Sequence, residues 1–138
     1  MIQGQHSINE LADLAQLSQQ LLCQLSVGDV VFLSGDLGAG KTTFVQMLLQ
    51  AAGVNEPVKS PTYALYNHYQ IKEKSFIHMD LYRLSDPEEL YFLDIEWILN
   101  GAHIVLIEWP TKGRGVLPTA DWQLTFDWKN HERTLTIT

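Results

Sequence analysis

Residues 35–42 have the types and spacing of a phosphate-binding loop. They read GDLGAGKT and match the pattern G-x-x-x-x-G-K-[ST] at every fixed position. Glycines let the backbone wrap closely around phosphates, with main-chain N–H groups pointing inward and a helix N-terminus behind them. In this pattern Lys41 reaches the β- and γ-phosphates, and the Thr42 hydroxyl binds Mg²⁺. The stretch therefore predicts a site for a nucleoside triphosphate.

An acid from a neighbouring strand is the second part of such a site, because it fixes Mg²⁺ or positions water. The apolar run IVLI ends at Glu108, and the run FIHM ends at Asp80. Ligands of an open α/β sheet bind at the carboxyl ends of its strands, where both acids are expected. Glu108 is the better Mg²⁺ candidate, acting directly or through water, and Asp80 is the candidate for positioning the attacking water. The alternative for either acid is to cap a helix or to pair with Arg83.

Three further residues are candidates with open alternatives. Thr62 lies in a Ser-Pro-Thr-Tyr loop, where it either senses the γ-phosphate as a switch residue or only forms a turn. His78 is two residues before Asp80 on one strand face, which suits a metal site, but a structural histidine is favoured because no third ligand has matching spacing. Trp109 follows Glu108 and either lines the site or belongs to the core.

The loop needs a strand before it and a helix after it. The run VVFL predicts a strand over 30–34, and the residues after the loop predict a helix that runs to about Ala52, with Gly53 as its cap. Upstream, Ser7 and Glu10 have the spacing of a capping box. Leucines at near-helical spacing then predict a helix over about 8–25, with Cys23 as a packed thiol.

The remaining segments predict further strands and a broken helix. The run that precedes Glu108 is nearly continuous in apolar residues, which suits a strand buried on both faces of a parallel sheet. Alternating segments separated by polar turns predict hairpins. The hairpins are expected at 63–70 with 76–79 and at 122–128 with 133–137. The broken helix is expected to run from Ser85 or Asp86 to Gly101, with a break near Asp94.

Composition restricts the class of protein. The chain has 138 residues, 46% of them hydrophobic, which suits one globular domain over 1–138. The formal net charge of −7 argues against unaided tight binding to nucleic acid, whose affinity comes largely from phosphate neutralisation. No run approaches the roughly 18 apolar residues of a membrane span. With a single cysteine and no signal-peptide core, the chain is expected in the cytoplasm, as a monomer or weak oligomer when isolated.

The sequence favours ATP over GTP. Proteins that read guanine usually carry an N/T-K-x-D motif. The nearest pattern here is TKGR at 111–114, which has Arg114 where the base-reading acid belongs. ATP and Mg²⁺ are therefore the expected cofactors.

Four motifs occur along the chain: GDLGAGKTTF from Gly35, SPTY from Ser60, HMDLYRL from His78 and IEWP from Ile107. Together they resemble the TsaE (YjeE) family, the bacterial ATPases for threonylcarbamoyladenosine modification of tRNA. The resemblance extends from the first helix to Arg133. One departure is Tyr63, where the family often has phenylalanine.

The resemblance implies an α/β single-domain P-loop NTPase-like fold, with a mixed central sheet of parallel core strands and antiparallel hairpins flanked by helices. It implies weak ATPase activity beside TsaD and TsaB, which transfer threonylcarbamoyl to adenosine 37 of tRNAs that read codons starting with A. Binding of tRNA is then indirect, through the complex. The catalytic residues implied are Lys41, Asp80 and Thr62, and the metal ligands Thr42 and Glu108. The nucleotide contacts implied are Ser7, Leu37, Gly38, Ala39, Gly40, Lys41, Thr42, Thr43, Asp80, Trp109 and Arg133.

Two other functions fit the loop. One is a small-molecule kinase, which usually needs additional arginines and a lid, whereas this chain has only Arg83, Arg114 and Arg133. The other is a nucleotide-dependent interaction module without turnover. Release of phosphate without a phosphorylated metabolite separates the ATPase from both alternatives.

Overall fold

The computed structural model describes residues 2–59, 61 and 65–138. Within them, the strands are β1 Gly4–Ser7, β2 Val30–Ser34, β3 Tyr66–Ile71, β4 Lys74–Asp80, β5 Ile104–Glu108, β6 Trp122–Lys129 and β7 Glu132–Ile137. They form one sheet in the order β1-β7-β6-β2-β5-β4-β3. The predicted residue Thr62 and the predicted strand start at Tyr63 lie outside the described residues.

The centre of the sheet is parallel and its edges are antiparallel. β2 pairs in parallel with both β5 and β6, and β4 pairs in parallel with β5. Hairpins β3–β4 and β6–β7 extend the two sides, and β1 pairs antiparallel with β7. All residues of β5 are buried, as its continuous apolar run predicts. The predicted mixed sheet, with parallel core strands and antiparallel hairpins, is confirmed.

Helices cover both faces of the sheet. Helices α1 (Leu11–Gln24) and α2 (Lys41–Ala52) pack against one face, where Leu21, Leu48 and Phe126 are fully or almost fully buried in one core cluster. A second core cluster lies on the other face, beneath α3 (Ile95–Ile98) and the 3₁₀-helix Pro87–Phe92. A further 3₁₀-helix, Pro110–Gly113, follows β5.

The N-terminal segment differs from the sequence prediction. Ser7, expected in the capping box of the first helix, instead ends β1 and pairs with Thr134 of β7, and the helix begins at Leu11 rather than near residue 8. The capping box of α1 is formed by Glu10 and Asp13, with the Glu10 N–H donating to the Asp13 carboxylate at 3.1 Å. The strand forms because it pairs with β7. Local sequence does not encode such a long-range pairing. Cys23 is exposed rather than packed, since it faces away from the buried side of α1.

The helix predicted between β4 and β5 is shorter and more broken than expected. Asp86 caps the 3₁₀-helix, its carboxylate accepting the Glu88 N–H at 3.0 Å. Asp94 has a left-handed backbone with φ +56°, which separates that helix from α3 at the predicted position. Within the described chain, no helix has the length and apolar character needed to cross a membrane.

Candidate nucleotide-binding site

The phosphate loop connects the end of β2 to the start of α2. Gly35 has φ +147°, and a Cβ atom there would lie 2.7 Å from the carbonyl oxygen of Phe126 in β6. Only glycine therefore lets the chain turn this close to the neighbouring strand. Gly40 has φ +108° and occupies the N-cap position of α2. The backbone conformation of the loop thus explains why glycine occupies both of these motif positions.

The N-terminus of α2 has the properties of an anion-binding end. Gly40 places no side chain over it, and the first turn of α2 carries no acidic residue. The first N–H groups of a helix lack partners within the helix, and the helix dipole adds positive potential there. Such an end binds phosphate readily. The fold therefore supplies backbone donors where the motif predicts the phosphates.

Lys41 is a buried cation that folds back on its own loop. Its side chain is 4% exposed, and its ammonium group donates to the carbonyl oxygens of Gly35 and, at 3.4 Å, Asp36. Nζ also lies 3.9 Å from the centroid of the Trp109 ring, a cation–π distance. Burial lowers the pKa of Lys41, opposed by nearby carboxylates of which Glu108 is the strongest. An anion bound at the loop would therefore compensate a desolvated positive charge.

Glu108 connects β5 to the phosphate loop and to β4. The Thr42 hydroxyl lies 2.9 and 3.0 Å from the two carboxylate oxygens of Glu108. Nε2 of His78 lies 2.6 Å from Oε2 of the same carboxylate. Glu108 is 2% exposed and His78 is fully buried. The carboxylate is thus held from two sides in a buried position.

Asp80 lies beside Glu108 at the carboxyl ends of the parallel strands. The two residues are in register between β4 and β5, so their side chains project from the same face. The Asp80 carboxylate accepts the N–H of Tyr82 at 3.0 Å. Burial raises the pKa of Asp80, and the charge of Glu108 raises it further, although the Tyr82 N–H and the charge of Lys41 oppose the shift. Asp80 therefore holds a proton more readily than an exposed aspartate does.

A cleft of about 280 Å³ brings these residues together with others from α1 and β7. It is lined by Leu11, Leu14, Leu37, Gly38, Gly40, Lys41, Thr42, Thr43, Asp80, Glu108, Trp109 and Arg133. The cleft therefore contains most of the residues named as nucleotide contacts, and adds two leucines of α1. Their roles in nucleotide binding stay predictions.

Three of the named residues lie elsewhere or outside the described part. Ser7 borders a separate depression with His6 and Asp13, and its hydroxyl accepts a hydrogen bond from Asn9. Ala39 packs against the core beneath the loop. Thr62 is among the residues that the structure does not describe. The implied contact of Ser7 with the nucleotide stays a prediction.

Sequence reasoning missed two features of the site. The first is the contact between His78 and Glu108, for which the available signal was that His78 shares a strand face with Asp80. The second is Leu11, one of the regularly spaced leucines of the predicted first helix, which is 66% exposed at the cleft. No local signal distinguishes that leucine from Leu14, which also borders the cleft but is only 6% exposed.

The residues present fit a magnesium ion held mainly by phosphates. In the described part of the chain, no group of three or more His, Cys, Asp and Glu side chains is arranged to hold a metal ion alone. Mg²⁺ usually keeps several waters and binds one or two carboxylates plus substrate phosphates. Thr42 and Glu108 supply a hydroxyl and a carboxylate of that kind beside the loop.

A second cavity, of about 370 Å³, lies at the opposite end of the parallel strands. Val30, Val105 and His103 line it, together with Asp121. The Asp121 carboxylate accepts the backbone N–H of Val30 at 2.8 Å. Since no lysine or arginine is among the described residues that line this cavity, it lacks the cation that a phosphate site needs.

The sequence matches the family described as "Threonylcarbamoyl adenosine biosynthesis protein TsaE" over residues 8–135. The chain belongs to the TsaE family. Curated relatives carry the name "tRNA threonylcarbamoyladenosine biosynthesis protein TsaE". The relative from Haemophilus influenzae is 48% identical over 108 residues, which are 78% of this chain and 68% of that protein. The relative from Rickettsia conorii is 41% identical over 105 residues, 75% of this chain and 59% of that protein.

A solved structure shows the same fold as this TsaE-family chain. The crystal structure of Bacillus subtilis YdiB superposes with a TM-score of 0.80 at 25% sequence identity, covering 96% of this chain and 82% of that one. Against the curated TsaE proteins, the match spans 68% of the Haemophilus influenzae protein and 59% of the Rickettsia conorii protein.

Proposed function

We propose that this TsaE-family chain is a slow, Mg²⁺-dependent ATPase that supports threonylcarbamoylation of adenosine 37 in tRNA. The observation that carries the proposal is the meeting of Lys41, Thr42 and Glu108 at the N-terminus of α2. The names of the matched relatives support the place in tRNA threonylcarbamoyladenosine biosynthesis.

The proposed roles follow from the side chains in the cleft. Lys41 leaves the carbonyl oxygens of its own loop and binds the β- and γ-phosphates. Thr42 and Glu108 hold Mg²⁺, which when bound neutralises charge on those phosphates. Asp80 orients water toward the γ-phosphate, since it lies beside Glu108 at the mouth of the cleft.

The position of the 111–114 segment supports ATP over GTP. Arg114 and Thr111 line a cavity with Phe32 and Pro118, whereas the phosphate-loop cleft is lined by a different set of residues. Neither Thr111 nor Arg114 is thus among the described residues that line the cleft with Lys41. Arg133, Leu11 and Leu14 border the cleft instead, and they offer one cation and two apolar side chains to the rest of the nucleotide.

The small number of cations in the cleft supports the proposal that partner proteins supply further positive charge for hydrolysis. Among its described lining residues, only Lys41 and Arg133 carry positive charge, and the Arg133 guanidinium lies 4.4 Å from the centroid of the Trp128 ring. Phosphoryl transfer depends on cations at the developing charge, which another protein often supplies. We assign this role to TsaD and TsaB type proteins, which also hold the tRNA, because the acidic chain gives tRNA little attraction. The proposed compartment is the cytoplasm.

The test is a reconstituted reaction that measures phosphate release and modified tRNA together. Wild type should support both, and Lys41→Ala should support neither. Lys74→Ala is the matched control, because it removes an exposed lysine at the start of β4. Unchanged turnover of Lys41→Ala would overturn the proposal. A phosphorylated metabolite in place of free phosphate would favour the kinase, and nucleotide binding without turnover would favour the interaction module.

A further inference from the structure

His78 is a buried side chain with one partner and one unused nitrogen. It is fully buried in the middle of β4, and its Nε2 lies 2.6 Å from Oε2 of Glu108. Its Nδ1 is also buried and has no hydrogen-bond partner among the described residues. Since His78 contacts a proposed metal ligand, the position of the proton on its ring decides whether it donates a hydrogen bond to that ligand.

The hydrogen-bonding pattern selects one form of the ring. A proton on Nδ1 would leave a buried N–H without an acceptor, which costs more than leaving a nitrogen lone pair unused. A proton on Nε2 instead donates to the Glu108 carboxylate, a short charge-assisted hydrogen bond. The neutral Nε2–H tautomer therefore satisfies both ends of the contact best.

The same hydrogen bond limits how the Glu108 carboxylate can rotate. Thr42 approaches both of its oxygens and His78 approaches Oε2, so the carboxylate plane is fixed by groups from α2 and β4. Without His78, Oε2 of Glu108 would lose its hydrogen-bond donor from β4. The carboxylate would then be free to rotate away from Thr42. Outer partners of this kind orient ligating carboxylates, and their loss typically costs about 10–100-fold in metal affinity.

We propose that His78, as the Nε2–H tautomer, is a positioning residue that holds the Glu108 carboxylate toward Thr42 and thereby sets the affinity for Mg²⁺. The effect of His78 on Mg²⁺ affinity rests on the proposed Mg²⁺-dependent nucleotide function. The hydrogen bond itself exists in the free protein and is testable there.

Two variants separate hydrogen bonding from packing. In His78→Gln the side-chain amide reaches about as far as Nε2, so it keeps a donor to Glu108. In His78→Asn the amide reaches only as far as Nδ1, so it keeps polarity but loses the donor. Thermal unfolding of each variant checks that it is folded before binding is measured.

The first measurement uses the free protein. Imidazole nitrogen NMR of the wild type should show the Nε2–H tautomer for His78, with a downfield proton protected from exchange. That proton should move upfield in Glu108→Gln, because the acceptor loses its charge. An Nδ1–H tautomer, or a proton insensitive to Glu108→Gln, would overturn the proposal whether or not the chain binds nucleotide.

The second measurement is the Mg²⁺ concentration that gives half of the Mg²⁺-dependent gain in ATP affinity. It should rise about 10–100-fold in His78→Asn and much less in His78→Gln, while ATP affinity without Mg²⁺ stays unchanged. Equal Mg²⁺ requirements in wild type and His78→Asn, or equal losses in both folded variants, would contradict a positioning role.

If wild type itself shows no Mg²⁺-dependent ATP binding, the proposed function fails, and the NMR result still decides the contact. If His78→Asn does not fold, the NMR signal still decides the contact, and a rise of the Mg²⁺ requirement by about 10-fold or more in folded His78→Gln would contradict the positioning role.

Discussion

The ammonium group of Lys41 rests on the indole ring of Trp109, with Nζ 3.9 Å from the ring centroid. Trp109 follows Glu108 directly and has a left-handed backbone with φ +57°, an unusual conformation for a bulky residue. Its ring also contacts Tyr82, with the ring centroids 5.1 Å apart. The lysine assigned to the phosphates is therefore coupled to an aromatic side chain beside the proposed metal ligand.

Binding of Mg²⁺ and ATP should change the fluorescence of Trp109. In the proposed function Lys41 leaves the face of the indole to reach the phosphates, which would remove a cation from the ring and alter its surroundings. We expect the response to fade in Trp109→Phe. The other tryptophans, Trp97, Trp122 and Trp128, remain in that variant as an internal control. A full response in Trp109→Phe would show that the signal comes from them.

The two acids of the cleft should have separable effects. Glu108→Gln should weaken Mg²⁺-dependent ATP binding, because a carboxamide is a poor ligand for Mg²⁺. Asp80→Asn should leave much of the binding and slow hydrolysis by about 10²–10⁴-fold, the usual range for a positioned acid or base. Titrations of ATP with and without Mg²⁺, followed by phosphate release, distinguish the two. The opposite pattern would exchange the assigned roles.

Gly35 should tolerate alanine less well than Gly38 does. In Gly35→Ala the new Cβ would lie 2.7 Å from the Phe126 carbonyl oxygen at φ +147°, so the loop or β6 must shift. We expect a loss of about 2–3 kcal/mol in the free energy of unfolding. Gly38 has φ +77° and nothing within 4 Å of an added Cβ, so its alanine variant should lose only about 1 kcal/mol. Denaturant unfolding of both variants compares them, and equal losses would contradict the steric explanation.

His103 should make the fold less stable in mild acid. Burial lowers the pKa of His103 below its usual 6.5, and the charge of His68 lowers it further. The folded state therefore binds fewer protons than the unfolded state as the pH falls through about 6.5, so this contribution to stability is full above that pH and is lost below it. Urea unfolding at pH 7.5 and pH 5.5 should show the loss.

The control for the acid effect is His103→Asn. Asparagine keeps a polar group close to Ser75, whose hydroxyl lies 2.6 Å from Nδ1 of His103, but it does not titrate. Its stability should therefore change less between the two pH values than that of the wild type. An equal pH dependence in both proteins would assign the effect to another group.

The isolated chain should hydrolyse ATP slowly and turn over faster with TsaD and TsaB type proteins. An arginine supplied by a partner is worth roughly 10³–10⁵ in the rate of phosphoryl transfer. Phosphate release by the chain alone, and then with the partners and tRNA, measures the gain. Arg133→Ala tests the alternative that the cation is internal. A rate that the partners leave unchanged but Arg133→Ala abolishes would favour that alternative.

Local patterns in the sequence were sufficient for the loop and the strands around it. The phosphate loop, the buried strand before Glu108 and both hairpins depend on residues close together in the chain, where glycine positions and apolar alternation are direct signals. The break at Asp94 and the cap at Asp86 were predictable for the same reason. The parallel order of the acid-bearing strands follows from the α/β pattern.

Tertiary structure alone decided which side chains meet. The pairing of β1 with β7 and the exposure of Leu11 at the cleft each depend on residues far apart in sequence. The contact of His78 with Glu108 spans 30 residues, and that of Lys41 with Trp109 depends on a left-handed backbone at the end of β5. A one-dimensional pattern records which face of an element is apolar, but the register between elements is set by long-range packing. That packing places a buried imidazole against the acid of the phosphate loop.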